Sequence, residues 1–198
     1  VVFKIKNTAL IDKYEAFYQQ ISQNPDVDSY TIMEYMFGYD YNMGGFWPEG
    51  LPESEEMQLH YTIRVYHDFA KTFNLEFEVG RDFSKDFPND VNESIVINEA
   101  MVNHLNWTNQ DALGKKFKYV GKERVIGVMK DYHFLPLRDG IKPLALILVA
   151  PNTGRASVAT NYMAVRLKDG ADIQESIAFL EKSWIDFVPG IAFNYELV

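Results

Sequence analysis

The sequence predicts an α+β fold: a ferredoxin-like split βαβ lobe made by both chain ends, with a smaller α+β lobe inserted between them. Three observations lead there. A strand–helix–strand pattern appears near residues 1–36 and again near 161–198, and two such units in one sheet make a split βαβ layer. The stretch between them has a different texture, with short strands and short helices from about 66 to 139. The chain has 198 residues, 47% apolar and 24% charged, which suffices for a packed core and argues against disorder. The expected division is therefore 1–65 plus 140–198 for the first lobe and 66–139 for the insert.

Each element has a local reason. Residues 1–6 (VVFKIK) read as a strand. Asn7 or Thr8 can cap a helix, and Leu10, Tyr14, Phe17 and Ile21 recur on one helical face. Asn24-Pro25 stops it, and 27–35 reads as a strand. Residues 37–54 hold Gly, Pro, Asn and many aromatics without a period, the signature of a long loop. Met57, Leu59, Tyr61, Ile63 and Val65 alternate as a half-buried strand. A short helix over 68–73, strands at 75–79 and 94–97, and a short helix capped by Asn98 follow. Gly121-Lys122 separates 117–120 from 124–129 as a hairpin. Residues 144–150 form a buried strand and 161–168 another. Asp172 with Glu175 makes a capping box before the stripe Ile173, Ile177, Leu180, Trp184 and Phe187. Pro189-Gly190 ends that helix, and Ile191, Phe193, Tyr195 and Leu197 alternate as a final strand. In such a sheet the first and last strands are neighbours, so Val1 and Val198 should lie together at one edge. Adjacent ends suit a domain inserted between two other elements.

Composition excludes several function classes. The net charge is −9 with a pI near 4.9, and no run of Lys and Arg supplies an evident basic face, so nucleic acid is not an expected partner and strong adhesion to anionic lipid headgroups is disfavoured. The absence of cysteine removes disulfides, thiol catalysis and Cys-based zinc sites. The longest apolar stretch, Leu144 to Ala150, is far short of a membrane span. The chain starts at Val1 with no basic region leading into an apolar one, as expected of a processed chain or a piece of a longer one.

Candidate chemistry is sparse. His60, His67, His104 and His133 share no i, i+4 spacing, and no HExxH occurs, so no metal site is expected. Asp131 and His133 could be a base with an orienting carboxylate, but Ser84, Ser94 and Ser157 sit in no nucleophile setting and no GxSxG is present. Asp131 reads better as a turn cap or as a cation's partner, with Arg81 one candidate. Glu49, Glu53, Glu55 and Glu56 could suggest a glycosidase acid pair, but a solvated charge run explains them. No phosphate-binding glycine motif appears, and no cofactor is expected. The aromatic segment 35–50, with Tyr39, Tyr41, Phe46 and Trp47, is either core filling or a partner surface; if exposed, it is the first choice for a contact.

Four stretches carry a resemblance: "DFAKTFNLEFEVGRDFSKDFPND" (68–90), "SIVINEAMVNHLNW" (94–107), "ALGKKFKYVGKERVIGVMKDYHFLPLRDGIKP" (112–143) and "LEKSWIDFVPGIAFNYEL" (180–197). In this order they are similar to the extracytoplasmic domain of MacB/FtsX-type ABC transporter permeases. Gly80-Arg81-Asp82-Phe83, Asn98-Glu99, Leu113-Gly114-Lys115 and Lys130-Asp131 are its most telling pieces. The resemblance implies a periplasmic domain of an inner-membrane protein, hung between the first two transmembrane helices of the permease. It implies a porter-like lobe from both chain ends and an inserted Sabre-like lobe. It brings no catalytic residue and makes Arg81, Asp82, Asn98, Glu99, Gly114 and Asp131 structural. Implied partners are the flanking transmembrane helices, a cytoplasmic ATPase subunit, a second permease copy and an extracytoplasmic substrate or protein. A soluble ligand- or peptide-binding module using 35–50 and a hydrolase are the competing readings.

Overall fold

The computed structural model describes residues 1–6, 8–38, 41–50, 57–119, 121–149 and 161–198. The N-terminal strand β1 (Val2–Lys4) leads to a 3-10 turn at Ala9–Asp12, which Thr8 caps by accepting from the Leu10 N–H. Helix α1 (Tyr14–Ile21) buries Tyr14, Phe17 and Ile21, and β2 (Val27–Met33) follows. At the other end β10 (Tyr162–Leu167) precedes α6 (Ile173–Phe187), where the Asp172 carboxylate accepts from the Glu175 N–H as the capping box requires. The last strand, β11, is shorter than the alternation suggested and covers Tyr195–Glu196.

These four strands lie in the order β11-β1-β10-β2, all antiparallel. That is the ferredoxin-like arrangement expected from the two repeated units. Val2 faces Glu196 and Phe3 faces Tyr195 across the β1–β11 ladder, so the two ends of the chain are backbone neighbours.

The sheet continues through β4 (Gln58–Val65), β9 (Leu144–Leu148), β6 (Ser94–Asn98), β8 (Arg124–Met129) and β5 (Phe77–Gly80). The join between β2 and β4 is thin, with one ladder pair, Met33 opposite Val65. Short helices α2 (Phe69–Phe73), α3 (Asp90–Glu93), α4 (Glu99–His104) and α5 (Asn109–Ala112) fill the connections. The sequence pattern missed α3 and α5 because four residues are too few to show a helical period.

Residues 42–48 correct the long-loop expectation. They form β3 (Asn42–Pro48), paired with β4 from Asn42↔Thr62 to Phe46↔Gln58. The alternation was hidden because two consecutive positions are Gly44 and Gly45, which have no side chain to show a face. Gly44 is required there, since a Cβ would sit 2.7 Å from the Thr62 hydroxyl. Strand β7 (Phe117–Lys118) also differs from expectation. Its ladder goes to β3, with Trp47↔Lys118 and Pro48↔Phe117, and only a bridge between Lys116 and Arg124 closes the predicted hairpin.

Strand parity sorts the core. On one face, Phe3, Phe17, Ile32, Met163, Leu180 and Trp184 pack beneath α1 and α6. On the same face further along, Phe46, Ile95, Ile97, Met101, Phe117 and Val125 pack with α4 and α5. The opposite face holds Val2, Met33, Ile63, Val65, Leu144, Leu146 and Ala164 with Phe69, Phe83 and Phe134.

Gly80 and Gly127 face each other across β5 and β8. Gly80 has φ +79°, and a Cβ there would meet the Ile126 carbonyl. A Cβ on Gly127 would strike the Arg81 carbonyl and approach the Phe77 ring to 2.8 Å. Gly127→Ala is therefore expected to destabilise the fold by about 2–3 kcal/mol. Gly114→Ala, where φ is +78° but the space is open, should cost about 1 kcal/mol. Urea unfolding of the two variants checks the ranking.

Candidate partner surface and the motif residues

The residues singled out from 80–131 each hold backbone in place. Arg81 makes a two-pronged pair with Asp90, Nη1 to Oδ2 at 2.6 Å and Nη2 to Oδ1 at 2.9 Å, and lies 4.1 Å from the Phe87 ring centre. Asp90 also accepts from the Ser94 hydroxyl and the Ser84 N–H. Burial alone would raise the Asp90 carboxyl. The hydrogen bonds from Arg81, Ser94 and Ser84 outweigh it and hold the pKa below the ordinary carboxylate value. Asp82 is the opposite case. Its Oδ1 accepts from the Phe83 N–H at 2.8 Å, yet burial pushes its pKa up to about 6.

Asn98 is fully buried and joins three segments. Its Oδ1 accepts from the Met101 and Leu144 N–H groups, and its Nδ2 donates to the Lys142 carbonyl. Asp131 and Glu99 cap reciprocally: Asp131 Oδ1 accepts from the Ala100 N–H at 2.9 Å, and Glu99 Oε2 accepts from the Asp131 N–H at 3.3 Å. Gly114 adopts a positive φ to donate to the Val125 carbonyl, and its own carbonyl accepts from Arg124. The proposed Arg81–Asp131 pair is thus incorrect. Arg81 is committed to Asp90, and Asp131 sits at the start of α4.

Among the described residues the catalytic readings find no convergence, and Ser157 lies outside them. His133 is exposed while Asp131 is spent on a helix start. Ser84 and Ser94 both serve Asp90. His60 is buried beside His104, ring centres 5.2 Å apart, and burial with that neighbour pushes its pKa down to about 4. Among the described residues no three His, Asp or Glu side chains gather to hold a metal ion. No helix among them is long and apolar enough to cross a membrane.

The aromatic segment divides. Phe46 is fully buried against Phe117 and Tyr119, 5.0 Å from each, so it belongs to the core and not to a surface. Tyr41 and Trp47 are exposed, at 57% and 45%, and Tyr41 lies edge-on to Tyr61. Tyr39 lies outside the described residues. Tyr41 and Tyr61 border a shallow cleft with Leu135 and Arg138. A larger cleft of about 690 Å³ opens where both chain ends meet Phe37, Phe73 and Tyr132.

Two features escaped the sequence reading. Arg64 on β4 pairs with the buried Glu34 at 2.7 Å and donates to the Tyr119 hydroxyl at 2.6 Å. The residues lie 30 and 55 positions apart, so no local pattern could join them. Burial pushes the Glu34 carboxyl up, although Arg64 pulls against it. The second feature corrects the expectation of no basic face. Residues 115–124 put Lys116, Lys118, Lys122 and Arg124 on the surface together. The alternation of these cations with Phe117 and Val125 was the available signal.

The model for the MacB-like periplasmic core domain matches residues 12–182. The chain belongs to the MacB-like periplasmic core domain family. The periplasmic region of MacB from Actinobacillus actinomycetemcomitans superposes with a TM-score of 0.65 at 14% identity, over 93% of this chain and 81% of that one. A domain of a putative permease from Porphyromonas gingivalis gives 0.58 at 16%, over 93% and 75%. The extracellular domain of the noncanonic ABC-type transporter YknZ from Gram-positive bacteria gives 0.60 at 13%, over 93% and 91%. No curated protein matches the chain. The MacB-like periplasmic core domain is thus an extracytoplasmic part of ABC transporter permeases. In this member the Arg81, Asn98, Glu99, Gly114 and Asp131 positions hold backbone segments together through hydrogen bonds.

Replacing Asp90 by Ala strands the Arg81 guanidinium and the Ser94 hydroxyl, with an expected loss of about 3 kcal/mol. Because the folded Asp90 pKa is depressed, its contribution is present above the unfolded value and fades as pH falls through the folded one. Urea titrations of wild type and Asp90→Ala at descending pH should therefore converge. Asp82 carries the reverse sign. Its folded pKa is raised, so the folded state holds the extra proton and stability declines as pH rises from about 4 to about 6. Asp82→Asn should flatten that decline and gain on the order of 1 kcal/mol at neutral pH, measured by the same titration.

Proposed function

We propose that this domain relays motion between the membrane part of an ABC permease and an extracytoplasmic substrate or partner, and is itself non-catalytic. The observation that carries this reading is the β1–β11 ladder, where Val2 and Glu196 are backbone partners. A domain joined to two transmembrane helices through adjacent strands would receive their relative displacement as one rigid attachment. ATP hydrolysis then takes place on a separate cytoplasmic subunit or domain, and a second permease copy supplies the moving counterpart. The lobes that take part are 1–65 with 140–198 and the insert 66–139. Tyr41, exposed beside Tyr61, is the aromatic residue offered to the partner.

The test uses the full-length permease with its ATPase in nanodiscs. This chain has no cysteine, so Leu137→Cys, at a 76% exposed position, gives one spin label in the domain of each copy. ATP is expected to shift the distance distribution between the two labels. Flexible Gly-Ser insertions between the domain and its flanking helices are expected to abolish the shift while ATP hydrolysis persists. A distribution indifferent to ATP, or one that still shifts with the insertions present, overturns the relay.

A further inference from the structure

The register of three strands places two kinds of side chain on one face. Met43 opposes Tyr61 and Gly45 opposes Leu59 across β3 and β4. Trp47 opposes Lys118 across β3 and β7, and Lys116 bridges to Arg124. Partners in a ladder project from the same side of a sheet. Phe46, Phe117 and Val125, the alternating neighbours, are all buried on the other side. So Met43, Trp47 and Leu59, each 43–56% exposed, share an open face with Lys116, Lys118 and Arg124. Met57, also exposed, lies against Gly45. The two sets are continuous, since the Lys118 ammonium stands 5.4 Å from the Trp47 ring centre.

The charge there is at odds with the rest of the molecule. Residues 115–124 hold five Lys and Arg against the single acid Glu123, a net +4 in a chain of −9, leaving −13 for the remainder. Glu123 is buried and accepts from the Tyr119 and Gly121 N–H groups. Glu49 pairs with Lys115 and accepts from the Lys116 N–H at this face, but among the described residues no ion pair engages the side chains of Lys116, Lys118, Lys122 or Arg124. Their stems wall a cleft of about 560 Å³ together with Glu93.

We propose that this face docks on an anionic phospholipid surface, with Trp47 and its apolar neighbours at headgroup depth and the Lys–Arg cleft receiving headgroup phosphates. Trp and apolar side chains beside lysines are the composition of an interfacial membrane contact. Protein interfaces, by contrast, enrich Arg and deplete Lys, and three of these four cations are Lys. The acidic remainder turns the basic face toward the lipid, and screening over about 8 Å at physiological salt keeps distant carboxylates from cancelling it. Glu49, which accepts from the Lys116 N–H, and Glu93 at the cleft oppose the attraction, so binding should be sharply salt-dependent. The inference stands apart from the relay and can fail without it.

The test mixes the 198-residue chain with vesicles of phosphatidylcholine alone or with added phosphatidylglycerol. Cosedimentation with the second only, lost at high salt, is expected. So is a blue shift in tryptophan emission, since Trp47 is exposed, Trp107 is half-buried and Trp184 is buried; Trp47→Phe should remove most of the shift, and Trp107→Phe should leave most of it. K116Q/K118Q, at two exposed positions, should lower the partition coefficient about 30-fold, about fivefold per cation, with the thermal melt unchanged. Equal binding to both vesicles, no binding to either, or full binding by K116Q/K118Q overturns the proposal. So does an equal blue shift on soluble poly-glutamate without vesicles, which would assign the face to an acidic protein.

Discussion

The seam between β2 and β4 is the constraint on which the rest of the molecule depends. The ferredoxin-like strands and the remaining strands share a sheet through one ladder pair, Met33 and Val65. That pair is held by two backbone hydrogen bonds, from Glu34 N to the Arg64 carbonyl and from Tyr66 N to the Ile32 carbonyl. So short a ladder is supported on both faces. On one side Met33, Val65 and Phe69 belong to a single apolar cluster that also reaches Val2 and Ala164. On the other, the Glu34–Arg64–Tyr119 group fills the place between two apolar clusters. Removing one member of a buried pair costs more than the pair itself contributes, so the seam is defined by what would be left unpaired.

Beyond the seam, the fold relies on polar groups that each fix several backbone segments. Asn98 ties the start of α4 to the approach into β9. Asp90 ties the turn after β5 to the start of β6. Short elements need such pins, because a four- to six-residue helix has too few internal hydrogen bonds to stand alone. That explains why this chain displays acid, amide and arginine residues that resemble an active site when read as isolated letters.

The ends of the chain were legible in the sequence because their elements are long enough to show a period. Leu10, Tyr14, Phe17 and Ile21, and later Leu180 and Trp184, are all buried as their spacing indicates. The caps at Thr8, Asn98 and Asp172 were equally readable, since a cap acts on residues two or three positions away. What stayed hidden was long-range or masked by glycine. Nothing near Arg81 announces Asp90 rather than Asp131 as its partner, since both are acids within reach of a folded turn. Strand β3 was concealed by Gly44 and Gly45, and with it the division of the aromatic residues into a buried Phe46 and an open Trp47.

That division sets a rule on length. Phe46 and Trp47 are sequence neighbours held to opposite sides of a pleat, one in the interior and one in solvent. Adding or deleting a single residue between Asn42 and Phe46 would exchange them, burying an indole where a phenyl fits and leaving a phenylalanine in water. Insertions of two preserve the parity and could be absorbed where β3 leaves β4. Homologous chains should therefore vary in this hairpin by even steps, and an odd step should coincide with a bulge that restores the alternation.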